Sequence, residues 1–172
     1  MAVTANISAS VSGTQTGTAI VGGTPSYPFA ASASTSFATS GTGAGQVDRV
    51  YTVTNTLSAS GTANIDLAGS ITDGLGNTSV AFARVKAIYV SAAAANTNDV
   101  QVTRPASNGV PWLMAAGDGI ALRPGAAFTW ASGSADATGV AVTGGTGDLI
   151  TFTNSAGTTS VTYTVVILGC SA

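Results

Sequence analysis

Three consecutive stretches decide the fold class: Leu149-Ile-Thr-Phe-Thr153, Asn154-Ser-Ala-Gly157, and Ser160-Val-Thr-Tyr-Thr-Val-Val-Ile-Leu168. Two runs rich in Val, Ile, Thr, Tyr and Phe flank a cluster of turn residues, which is how strands announce themselves. In the second run Val161, Tyr163, Val165 and Ile167 fall two apart, so one strand face turns inward. Working back along the chain, residues 139–143 and 149–153 flank Gly144-Gly-Thr-Gly-Asp148. Residues 119–122 and 126–131 flank Arg123-Pro-Gly125, where Pro presets φ and Gly supplies the second central turn position, so this pair reads as a hairpin. The C-terminal part thus reads as a ladder of adjacent antiparallel strands.

Further upstream, residues 47–57 alternate as a strand, and Asn64-Ile-Asp-Leu-Ala-Gly69 gives another, closed by the turn cluster Asp73-Gly-Leu-Gly-Asn77. Residues 85–92 read as a buried strand with Arg84 and Lys86 at its entrance, and residues 99–103 as a short edge. Strands roughly every 8–12 residues, with no amphipathic helix pattern, predict an all-β protein: an antiparallel, jelly-roll-like β-sandwich of about eight to ten strands. A brief helical turn is expected near 80–84 or 111–116. The predicted core comprises Val50, Val53, Leu57, Ile65, Leu67, Phe82, Val85, Ile88, Val90, Phe128, Val140, Val142, Leu149, Phe152, Val161, Tyr163, Val165 and Ile167.

Residues 1–45 differ from the sandwich domain at 46–172. They are a low-complexity alternation of Ala, Ser, Thr and Gly, and no charged residue occurs before Asp48. One or two short strands are expected there, around 5–11 and 34–38. With few large apolar groups, such an extended arm cannot form its own core and should lie on the main domain or pair with another subunit's sheet edge.

Only 7% of the 172 residues are charged, against about 25% in an ordinary soluble domain. A chain of this length still buries roughly 70% of its unfolded surface, so it carries a real core. Its surface must be mostly Ser, Thr, Asn, Gly and Ala, which lose little rotamer entropy when buried against a neighbour, whereas each Lys, Arg or Glu loses about 1.5–2 kcal/mol. Such a surface suits permanent assembly. Val165-Val-Ile-Leu168 is far shorter than the ~20 apolar residues of a membrane helix. The opening Met1-Ala-Val-Thr-Ala-Asn-Ile7 has neither the basic region nor the apolar run of a secretory signal, so synthesis and assembly in a cytoplasm are expected. Cys170 is the sole cysteine, which leaves no intrachain disulfide.

The chain has no His and no Glu. Ser-His-Asp, Cys-His and His-based metal sites are thereby excluded, and no catalytic residue, metal site or cofactor is expected. Of the seven aspartates, Asp73, Asp118 and Asp148 sit beside Gly in turns. Asp73-Gly-Leu-Gly-Asn77 lacks the repeated acidic ligands of a calcium loop, and Gly144-Gly-Thr-Gly147 has no following Lys to cradle phosphate. Five scattered basic residues at net charge −2 do not make a nucleic-acid surface. Trp112 and Trp130, assisted by Tyr27 and Tyr89, read either as core or as a sugar-stacking platform.

Gln46-Val-Asp-Arg-Val-Tyr51, Leu57-Ser-Ala-Ser60, Ile65 to Asp73 and Phe82-Ala-Arg-Val-Lys-Ala-Ile-Tyr-Val90, with Leu122-Arg-Pro-Gly125, Thr138 to Leu149 and Val161 to Gly169, carry a resemblance. Across residues 46–169 the chain resembles small β-rich virion proteins of tailed bacteriophages. The resemblance implies a head decoration (cement) protein, commonly trimeric, sitting on the virion surface and locking the major capsid protein lattice. The contact residues are then expected in the arm, at Val3, Ile7, Tyr27, Pro28, Phe29 and Phe37. A second expectation is a tail-fibre or head-fibre tip that binds glycans through exposed aromatics such as Trp112, and a third is an aspartate-dependent glycan hydrolase.

Overall fold

The computed structural model describes residues 2–19, 21–69, 71–113 and 115–172. Its strands are β1 (Ala5–Thr16), β2 (Ser26–Phe37), β3 (Thr39–Ser40), β4 (Gln46–Val47), β5 (Arg49–Leu57), β6 (Thr62–Asp66), β7 (Arg84–Ala92), β8 (Val100–Thr103), β9 (Gly119–Leu122), β10 (Ala127–Ala131), β11 (Val140–Ala141), β12 (Leu149–Asn154) and β13 (Val161–Cys170). The chain is all-β, with no helix among the described residues. Of the two expected helical turns, the first is instead a bridge between Val80 and Ile71 leading into β7. The second is a turn at 111–113, with Met114 outside the described residues.

Two antiparallel sheets face each other. One has the order β10-β7-β13-β5, with β11 also on β7, and the other has β6-β12-β8-β9. The pairs β5 with β13, β6 with β12, β7 with β10 and β8 with β9 describe a long ribbon folded back on itself. The further pairs β7 with β13 and β8 with β12 show that ribbon rolled up. The two layers make an antiparallel β-sandwich.

That topology corrects three expectations. Arg123-Pro-Gly125 does turn the chain, with Ala126 N–H donating to the Arg123 carbonyl at 2.8 Å and Gly125 at φ 78°. Its flanking strands β9 and β10 nevertheless lie in opposite sheets, so it is a corner and not a hairpin. The C-terminal strands β11, β12 and β13 likewise alternate between sheets instead of forming a ladder. Finally, β8 is interior, held between β12 and β9, and not an edge. Turn residues dictate that the chain reverses; they do not dictate which layer it enters.

The main core fills the gap between the sheets. Val161, Tyr163, Val165 and Ile167 of β13 meet Ile150 and Phe152 of β12, and the Phe152 and Tyr163 rings stack with centroids 4.3 Å apart and planes 3° apart. Of the predicted core, Val53, Phe128, Val140 and Val142 only line its margin, and Leu149 is half-buried. Val50 faces the other way, into a second, smaller core on the outer side of the five-stranded sheet. Val80, Ala92, Val100, Val102, Val110, Trp112 and Leu122 also belong to the main core.

A bulge separates the two faces of β7. The register passes from Leu168 opposite Ala87 to Gly169 opposite Val85, leaving Lys86 as the extra residue. Val85 therefore points into the main core and Ala87 into the outer one. Gly169 is required at this point, because a Cβ there would collide with the Arg84 carbonyl oxygen. Lys86, expected at a strand entrance, is fully buried, and its Nζ donates to the Gly43 carbonyl in the loop that joins arm to body.

Candidate assembly interface

Residues 5–37 form a hairpin of their own. β1 and β2 pair over twelve positions, from Ala5 opposite Phe37 to Thr16 opposite Ser26, a ribbon about 40 Å long. The arm is thus more regular than the one or two short strands expected, and its strands pair with each other, which satisfies the inward-facing half of their backbone groups. In an antiparallel pair, opposite residues share a face and successive residues alternate. One face therefore carries Ala5, Ile7, Ala9 and Val11 of β1 with Phe37, Ala33, Ala31, Phe29 and Tyr27 of β2. The other carries Ser8, Ser10, Ser12 and Thr14 with Ser34, Ser32, Ala30 and Pro28. The ribbon is amphipathic and uncharged.

Its two ends meet different fates. At the base, Phe37 and Val3 are buried with Val47, Ala87 and Leu168 in the outer core, and Ala5 and Ile7 pack against them. Beyond the base the same face is bare: Val11 is 58%, Phe29 46% and Tyr27 67% exposed. The Phe29 ring lies across Gly13, where a Cβ would strike it. A lone two-stranded ribbon is marginal in water, and this one also has two free edges without a charge to guard them.

Beside the ribbon base, the outer face of the five-stranded sheet holds an open groove of about 660 Å³. Residues 2–8 form one wall, and Val50, Leu75, Tyr89, Thr129, Val166 and Leu168 form the rest. Leu75 is 82% exposed and Tyr89 37%, so the groove is apolar and uncovered.

The six predicted contact residues therefore divide. Val3 and Phe37 are spent within the chain, because an apolar residue in an arm docks on its own body when that body offers an apolar face. Ile7 is half-buried at the base. Tyr27 and Phe29 stand exposed on the apolar side, and Pro28 is exposed on the polar side opposite Thr14. Val11, Ala31 and Ala33 stand exposed on the same apolar side, which the Ala-x-Ile-x-Ala-x-Val spacing of residues 5–11 marks.

Trp112 and six of the seven aspartates are packed or hydrogen-bonded within the fold. Trp112, offered as an exposed sugar platform, is buried, with its ring 5.7 Å from that of Phe128. Asp48, Asp66, Asp73, Asp118, Asp136 and Asp148 each accept a backbone N–H in a turn or loop. The Asn77 side-chain amide, donating at 2.7 Å, and the amides of Asn77 and Leu75 hold the Asp73 carboxyl below the usual carboxylate range against the opposing effect of desolvation. The Gly139 amide and the Thr138 hydroxyl and amide do the same for Asp136. Burial pushes the Cys170 thiol up, and its Sγ lies 3.6 Å from the Gln46 carbonyl oxygen. Among the described residues no three potential metal ligands come together.

Comparison with family models, curated proteins and solved structures finds no match. The feature of this chain that most resembles a site is the amphipathic ribbon with the groove at its base.

Proposed function

We propose that this chain is a structural virion protein of the capsid decoration (cement) type, which binds an assembled bacteriophage head shell and stabilises it without catalysis. The observation that carries the reading is the bare apolar face of an uncharged ribbon rooted in a β-sandwich body. A surface of this kind gains by being covered with protein. We read the rolled ribbon of β5 to β13 as a jelly roll on the support of its strand order, and that architecture is used by viral capsid proteins, though lectins and cupins share it. A subunit that binds only the assembled shell stabilises it by mass action, in proportion to the logarithm of its concentration over its dissociation constant. The partners in this reading are the major capsid protein lattice and further copies of the chain, and the location is the outer surface of the virion.

Densitometry of purified virions tests the reading. Hundreds of copies per particle, together with a rise in shell melting temperature when the protein is added to bare shells, are the expected results. A few copies per particle would instead favour a tail-fibre or head-fibre tip. Turnover of a host polysaccharide that a single Asp→Asn change abolishes would favour the hydrolase.

A further inference from the structure

We infer that the distal apolar face of the β1–β2 ribbon is covered by a second copy of this chain, each copy's ribbon lying in the groove on the other's five-stranded sheet. The inference rests on reading the ribbon as an assembly element, and it assigns that element to copies of the chain instead of to the shell.

Three observations lead to it. The first is continuity. The outer face of the five-stranded sheet already buries the base of this ribbon, through Phe37 and Val3 on Leu168 and Ala87. The groove continues that face with Val50, Val166, Tyr89 and Leu75, while the ribbon continues its own with Val11, Phe29 and Tyr27. The same two chemistries that meet within one chain thus remain unmatched beyond the contact.

The second is area. The exposed ribbon pairs residues 9–16 with 26–33, which at about 3.3 Å per residue and about 4.8 Å per strand makes a face of roughly 260 Å². One ribbon laid on a foreign surface buries about 500 Å² in total, below the roughly 1,000 Å² of a specific interface. Exchange closes that gap: two reciprocal ribbons bury about 1,000 Å² and a ring of three about 1,500 Å².

The third is charge. Neither the ribbon nor any residue lining the groove is charged. A partner of ordinary composition, with about a quarter of its residues charged, would have to strip water from unpaired charges to lie there. This chain is matched to itself.

The test is the oligomeric state of the full chain at micromolar concentration, by size-exclusion chromatography with light scattering. Wild type is expected as a dimer or trimer. V11D on the ribbon and L75D on the groove should each yield monomers, and S10D, on the ribbon's polar face, should keep the wild-type state. Leu75 is 82% exposed, so L75D leaves the fold intact and keeps the test decisive should V11D misfold. Monomeric wild type, or L75D that assembles as wild type does, overturns the inference. Monomers that still load onto purified shells would remove it while leaving the decoration reading standing; multimers that ignore shells would do the reverse.

Discussion

Replacing Phe37 by alanine should release the ribbon while leaving the sandwich folded. The Phe37 side chain is fully buried, but in the outer core with Val3, Val47, Ala87 and Leu168, not in the main core between the sheets. A phenyl ring hiding about 150 Å² contributes roughly 4 kcal/mol at about 25 cal/mol per Å². That agrees with the about 3–5 kcal/mol of buried Phe→Ala changes. At a factor of ten per about 1.4 kcal/mol, docking of the ribbon weakens by about a thousandfold. Hydrogen exchange read by mass spectrometry would see this as faster exchange in β1 and β2, up to the limit set by the docking free energy itself. Peptides covering β12 and β13, whose inward side chains belong to the main core, should keep wild-type rates. Equal loss of protection in β13 and in the ribbon would refute the reasoning, because arm and body would then be one cooperative unit. So would an unchanged ribbon.

Three other outcomes are expected. Gly169→Ala should destabilise the whole body by about 1–3 kcal/mol, since the new methyl meets the Arg84 carbonyl and Phe82 at the bulge; calorimetry should show the melting temperature falling by several degrees. Asp73 and Asp136 have folded-state pKa values below their unfolded ones, so their stabilisation is present above about pH 4 and is lost as pH falls through the folded values. Melting temperatures taken between neutral and acidic pH should drop at the acid end, and the double variant Asp73→Asn/Asp136→Asn should show a shallower drop. The Cys170 thiol, buried and shifted upward, should resist an aromatic disulfide reagent at neutral pH in the native protein and react at once in denaturant. Rapid native labelling would show that the joint between arm and body opens.

Where apolar residues two apart meet a turn cluster, the fold was legible from residues alone. Val161 to Ile167 and Ile88 to Val90 read correctly as buried strands, because bulky β-branched and aromatic side chains give a strong contrast with their neighbours. The layer each strand joins was not legible: Pro124-Gly125 has the same local chemistry in a hairpin and in a corner between sheets. Val100 and Val102 looked like an edge because the strand is short, yet β9 and β12 close both its sides. The ribbon's two faces were hard to see because alanine and serine differ little in size and only weakly in polarity. Nor does a sequence distinguish an arm residue buried on its own body, such as Phe37, from one bare for a partner, such as Phe29.

The central position of β13 also bears on how the chain folds as it is made. Thr54 of β5 and Thr164 of β13 share a hydrogen bond at 2.8 Å although 110 positions separate them, and β7 and β5 meet only through β13. Contacts so distant in sequence close slowly, whereas a hairpin forms in about 1–10 μs. During translation the ribbon is complete long before the sheet face that receives its base. A greasy, unguarded hairpin therefore waits for its own body to finish, with only the serines and threonines of its other face to keep it dissolved in the interval.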